Sequence, residues 1–289
     1  MSRWKKIENT PATIYAIAPT DSGAWLLGTN SGLWQVEGEV STRIAEPLKD
    51  VAVTAVAYSR RTMLVGAADG LAFSMDGGDS WTQSGLPKQT AVVQIALTPV
   101  FNQAGMAFAV TLEDGFLRTM DLGRSWNTCN FGLVDKEAIA FALSPDFAMD
   151  MTAVVAVASG VFRTGNGANA WRQVTLEAEA SPMACLAFAK GVVIAGSETH
   201  GLYYSYNKGE TWSKRGTFSS GPISALAASP DAKTVAVATP QVVATTTDLG
   251  ENWARTEGKT PKGIIAVAVT DDGTVLCGTQ QDGLWMYSS

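Results

Sequence analysis

The chain has 289 residues, 46% hydrophobic and 17% charged, which is enough apolar material for a large core and too little charge for disorder. Its net charge of −6 disfavours a nucleic-acid binder, which needs a basic face to track phosphates. No apolar run approaches the roughly 18 residues of a membrane span, so no membrane insertion is expected.

The N-terminus, from Met1 to Glu8, has no apolar core of a secretory signal, and a cytoplasmic location is the expectation. Cys129, Cys185 and Cys277 are odd in number, widely spaced and each expected within an apolar strand, so they read as small buried hydrophobes. Taken in chain order, one pattern then recurs: a branched or aromatic apolar residue, Ala, any residue, and usually Ser or Thr. It begins at Ile17-Ala18 and Val56-Ala57, and continues at Ile95-Ala96, Phe141-Ala142, Leu186-Ala187, Leu226-Ala227 and Val267-Ala268. The alanines lie 39, 39, 46, 45, 40 and 41 residues apart, and Ala268 to Ala18 through the termini is 39. The pattern therefore closes on itself after seven units.

Each unit holds four short β-type runs divided by turn residues, as an antiparallel blade does. In the second unit these are predicted at Val53–Tyr58, Met63–Gly66, Leu71–Met75 and Trp81–Ser84. No unit shows sustained helical periodicity. A lone four-stranded blade leaves both faces bare, and radial stacking covers them. The predicted fold is all-β, a seven-bladed β-propeller of four-stranded antiparallel blades occupying residues 1–289 as a single domain. Crowding of the innermost strands explains Ala at all seven hub positions, because a larger side chain would overpack them. The seventh unit ends after its third run at Gly283–Ser289, and its missing outer strand is predicted at Trp4–Glu8. An N-terminal strand completing the last blade removes a raw edge and ties the ring shut.

A second marker, Ser/Thr-x-Asp-x-Gly-x-x-Trp, follows the third run. It carries Asp76 and Trp81 in the second unit, Asp121 and Trp126 in the third, and Asp248 and Trp253 in the sixth. The fifth has Asn207 and Trp212, the fourth has a degenerate copy at Thr164–Trp171, and the first has none. Asp or Asn bonds turn backbone, Gly permits positive φ, and the Trp ring packs under the hairpin. This marker resembles the Asp-box (BNR) repeat of sialidases, sortilin-type receptors and the photosystem II assembly factor family, and the chain is similar throughout to WD40/YVTN/BNR-like propellers. The resemblance implies a structural turn away from the binding face; it implies a fold rather than a chemistry.

Because some relatives are glycosidases, a carbohydrate-binding or sialidase-like glycoside hydrolase is the alternative reading. Such a site needs three convergent arginines, a Tyr–Glu pair and an acidic residue, with an Arg-Ile-Pro-type segment early in the chain. That segment does not occur, and Arg118 and Arg163 sit at equivalent third-strand positions. The single histidine, His200, cannot build a zinc cluster, and the turn glycines precede no phosphate-cradling helix. No catalytic constellation, metal or cofactor is therefore predicted.

What remains is the end of the ring opposite the boxes, where the second-to-third-strand turns carry Asp69, Glu113, Asp114, Glu198, His200 and Asp282. These turns hold five carboxylates and no Lys or Arg. The plain reading is that these short polar turns are solvated; the sharper one is a ring of acceptors around the channel mouth, suited to a basic peptide, an amine or a cation. Phe131–Val134, between the third and fourth units, adds apolar residues to the same end. The expected function is a non-catalytic interaction or assembly scaffold whose partner is another protein or a peptide.

Overall fold

A computed structural model describes residues 3–44, 51–176, 182–214 and 221–288. Its strands form seven four-stranded antiparallel sheets, numbered here as blades 1 to 7. Their inner strands are Ile14–Pro19, Val53–Ser59, Val92–Leu97, Ala138–Leu143, Met183–Ala189, Ala225–Ala228 and Ile264–Val269. Each inner strand packs beside the next, and the first also packs beside the last, so the seven sheets form a closed ring. In blade 2 the remaining strands are Thr62–Ala67, Gly70–Ser74 and Thr82–Gln83. The outer strand is shorter than the sequence suggests, because Trp81 belongs to the turn before it.

Blade 7 takes its outer strand from the other chain end, as the sequence pattern implies. Arg3–Ile7 pairs antiparallel with Leu284–Ser288, with Trp4 opposite Tyr287 and Ile7 opposite Leu284. The Trp4 and Tyr287 rings lie 5.3 Å apart. Blade 1, without a box, makes its outer strand Val40–Arg43 through a tight hairpin with Glu37 opposite Val40.

The core lies between blades rather than at one centre, as seven apolar clusters, one per interface. Strand alternation explains this: Ala55 and Ala57 face Val92 and Ile95 of blade 3, whereas Val53 and Val56 face Ala18 of blade 1. Five of the seven repeated alanines are buried and the other two, Ala96 and Ala227, are half-buried. The second strand is equally crowded. A Cβ on Gly66 would stand 2.5 Å from Val92 Cγ1, and one on Gly278 would stand 2.8 Å from Ile14 Cγ2, the latter across the blade 7–blade 1 junction.

Two features depart from the sequence reading. Short helices, Phe101–Ala104 and Phe147–Asp150, occupy the first-to-second-strand connections of blades 3 and 4. They are single turns, too brief to show a periodicity, and each is pinned by its buried phenylalanine. Cys129 lies just past the outer strand Asn127–Thr128 rather than inside a strand. All three cysteines are free thiols.

Candidate functional site

The box turns repeat one hydrogen-bond network. In blade 2, Asp76 Oδ1 accepts from Ser74 Oγ at 2.8 Å and from the Ser80 N–H at 2.9 Å, while the Gly78 N–H donates to Ser74 Oγ at 2.8 Å. Asp121 and Asp248 accept in the same way from Thr119 and Ser125, and from Thr246 and Asn252. Asn207 does so through its amide oxygen, accepting from Ser205 and from the Thr211 N–H. The indole N–H groups of Trp81, Trp126 and Trp212 return to the box-glycine carbonyls at 3.0–3.2 Å, and that of Trp253 reaches Tyr204 Oη at 3.1 Å. Bonds from Ser80, first its hydroxyl and then its N–H, hold Asp76 down at about 2, and the Asn252 N–H leads the bonds that do the same for Asp248. Every acceptor in these carboxyls is occupied by local donors, so the turn consumes its own chemistry.

The arginines at the box end are also engaged between blades. Arg118 donates to Gly167 O and Asn169 Oδ1 at 3.0 Å, and Arg163 donates to Lys208 O at 2.7 Å. Neither lines the axial channel.

At the opposite end the chain enters the inner strands of six blades, all but blade 6, through a bulge. In blade 1 the pairing passes from Ile14–Thr29 to Ala16–Gly28 and leaves Tyr15 as the extra residue. The same skip occurs in blades 2, 3, 4, 5 and 7. A bulge re-aims the side chains beside it, and the residue three before each repeated alanine lines the axial cavity together with the one or two that follow it. Those residues, Tyr15, Thr54, Val93, Ile139, Ala184, Ser224 and Ile265, line a cavity of about 270 Å³. Tyr15 and Ile265 are more than a third exposed, and the rim is uncharged, its apolar side chains standing beside the hydroxyl residues Tyr15, Thr54 and Ser224. Cys185 borders the same cavity, and burial pushes its thiol up to about 12, far from a nucleophilic thiolate. No carboxylate, histidine, lysine or arginine is among the lining residues.

The predicted acceptors therefore stand back from the cavity wall. Asp69, Glu113, Asp114, Glu198, His200 and Asp282 sit on the second-to-third-strand turns, farther out than the inner strands, and none lines the channel. Nor is the face free of positive charge: connections outside those turns supply it. Lys6 meets Asp282 at 2.5 Å, and Lys88 stands 3.5 Å from Glu113 and 3.9 Å from Asp114. The Lys6 bond holds Asp282 below the usual carboxylate range and raises Lys6 in turn. Asp69 and Glu198 are exposed and carry no ion pair to any described residue. His200 Nδ1 shares a 2.6 Å hydrogen bond with the adjacent Thr199 hydroxyl. Between blades 3 and 4, Leu133 is buried, whereas Phe131 and Val134 are each 79% exposed.

Three things at this end escaped the sequence reading. The rim residues were detectable as the position three before each alanine, but only the bulge shows where they point. Lys6 and Lys88 lie outside the turns they serve. Hydroxyls close the second strands of several blades: Thr111 Oγ1 accepts the Asp114 N–H at 3.0 Å, and Thr279 Oγ1 accepts that of Asp282 at 2.8 Å. Among the described residues, no three His, Cys, Asp or Glu side chains gather as a metal-holding group, and no helix is long and apolar enough to cross a membrane.

Solved structures share this architecture. One described as YCF48 bound to D1 peptide superposes over all of this chain and 95% of that one, with TM-score 0.77 and 17% identity. YCF48 from Cyanidioschyzon merolae matches over 98% of both chains, with TM-score 0.74 and 14% identity. Virginiamycin B lyase from Staphylococcus aureus matches over 100% of this chain and 99% of that one, with TM-score 0.79 and 11% identity, so the same ring also carries an enzyme. No curated protein matches the sequence. Residues 80–288, most of the chain, match the family model for photosynthesis system II assembly factor YCF48, and the chain belongs to that family.

Proposed function

We propose that the protein is a non-catalytic assembly scaffold that holds a peptide segment of another protein at the channel mouth. The observation that carries this reading is the bulged rim. One backbone device, repeated from blade to blade, presents Tyr15, Val93, Ile139 and Ile265 to a cavity whose lining includes no carboxylate, histidine, lysine or arginine. Such a surface can bury apolar side chains of a partner but offers no acid–base pair for bond cleavage. Family membership supports an assembly role, and a YCF48 with the same fold is bound to a D1 peptide. Around the rim, the exposed carboxylates Asp69 and Glu198 favour basic residues next to the apolar ones. The engagement of Arg118 and Arg163 by neighbouring blades weighs against the sialidase-like alternative.

A photo-cross-linker placed at position 139 or 265, with a second at position 79 on the box end, tests the assignment in native-host extract. The reading predicts partner adducts from the first two positions and none from the third. Adducts confined to position 79, or turnover of a glycoside panel, would overturn it.

A further inference from the structure

Beside the mouth, a small pocket of about 20 Å³ lies between the blade 2–blade 3 connection and the second turn of blade 3, lined by Pro87, Lys88, Thr90, Asp114, Leu117 and Thr128. Its volume suits one water-sized group. Two polar atoms at this pocket, Thr90 Oγ1 and Asp114 Oδ2, are buried without a hydrogen-bond partner in the protein. Thr90 as a whole is only 6% exposed. Buried polar atoms are paired in the great majority of cases, and two orphans in one pocket point to a missing donor. Among the described residues, the other Asp114 oxygen has Lys88 as its ion-pair partner, 3.9 Å away.

The carboxylate is held in place by its backbone. The Asp114 N–H donates to Thr111 Oγ1 at 3.0 Å, and its carbonyl accepts from Asn130 Nδ2 at 2.7 Å. Asn130 in turn takes the Phe116 N–H at 2.8 Å. A turn fixed at both ends keeps Oδ2 aimed at the pocket before any ligand arrives.

We infer that this pocket is a subsite for one primary ammonium group, supplied by a lysine side chain or the amino terminus of the bound peptide, and seated between Asp114 Oδ2 and Thr90 Oγ1. The inference rests on the mouth face being the binding face. Two acceptors, one of them anionic, call for a cationic donor with several N–H bonds, and an ammonium is of water size. Pro87 and Leu117 offer apolar wall for the methylenes behind the charge, as the stem of a lysine requires. Lys88, more than half exposed, is the resident cation that the ligand would displace from Asp114.

The probe is methylammonium, followed through the backbone amide resonances of Thr90 and Asp114 in the intact protein. Saturable shifts at millimolar concentration are expected, weakened about tenfold by Asp114→Asn and several-fold by the near-isosteric Thr90→Val. Lys88→Ala should tighten binding. Melting temperatures of the variants show that the fold is kept. Absence of saturation, binding unchanged by both pocket variants, or a crystal grown in methylammonium showing only water in the pocket overturns the inference. Two peptides separate the sources, one with lysine and an acetylated amino terminus, the other with a free amino terminus and no lysine. If a partner peptide cross-links at the rim while methylammonium fails to bind, the scaffold reading survives and the subsite does not. If methylammonium binds while the partner footprint lies on the box turns, the pocket accepts an ammonium but not one from that partner, and both readings fall.

Discussion

Lys6, on the N-terminal strand, donates to the Asp282 carboxylate in the second turn of blade 7 at 2.5 Å, joining residues 276 positions apart. The contact ties ring closure to the surface charge of the mouth. Both side chains are more than a third exposed, and such pairs contribute roughly 0–1 kcal/mol, so the seam does not rest on them. The paired strand and the Trp4–Tyr287 contact do most of the closing.

Removing residues 1–8 should therefore destabilise the whole ring, because it bares the edge of blade 7 and the Tyr287 ring. Trp4→Ala should cost about 2–3 kcal/mol, less than a fully buried tryptophan, and Lys6→Ala within about 1 kcal/mol. Thermal melting checks the order. A truncated protein that melts like the intact one would show that the N-terminal strand is not the closing element.

At the hub, Gly66→Ala drives a methyl to 2.5 Å from Val92, and Ala142→Leu enlarges a residue 8% exposed in the blade 4–blade 5 cluster. Each should cost about 1–3 kcal/mol in denaturant unfolding. Gly221→Ala meets nothing within 4 Å and serves as the control, expected within about 0.5 kcal/mol of the native protein. Equal effects at all three sites would remove crowding as the explanation.

The box carboxylates set an acid limit. Asp76 and Asp248 have folded values near 2, below the ordinary value of 3.8. A depressed folded value contributes stability that is present above the ordinary one and is lost as pH falls from about 4 toward 2. The melting temperature should drop across that window. Asp76→Asn, which copies the arrangement of Asn207 in blade 5, should flatten the drop while leaving the neutral-pH melting point nearly unchanged. An acid profile identical to that of the native protein would mean that the box carboxyl is not the titrating group.

For the mouth, Asp69→Asn combined with Glu198→Gln should weaken capture of the partner peptide several-fold, with the loss largest at low salt. Asp282→Asn should matter less, since Lys6 already neutralises that carboxylate. Asp121→Asn, in a box turn at the other end of the ring, should leave affinity intact. Titration of the peptide at two salt concentrations measures this, and equal loss from all three variants would sever affinity from the mouth carboxylates.

The sequence by itself determined the number of blades, the phase of the repeat and the completion of blade 7 by Trp4. These follow from local rules, period-two alternation and turn chemistry, and seven copies reinforce one another. It also marked the box residues, whose partners lie within about one turn of chain, so that the network around Asp76 is nearly written in residues 74–81. The tertiary structure alone decided the mouth. How Tyr15 and Ala16 both come to line the axis depends on a bulge that slips the pairing by one residue, and composition carries no trace of that slip. The partners of Asp114 and Asp282 come from neighbouring connections, Lys88 before the blade 3 inner strand and Lys6 at the far end of the chain. Charge on a propeller face sums over loops brought together by ring closure. A count confined to one class of turn therefore found five carboxylates and missed the lysines beside them.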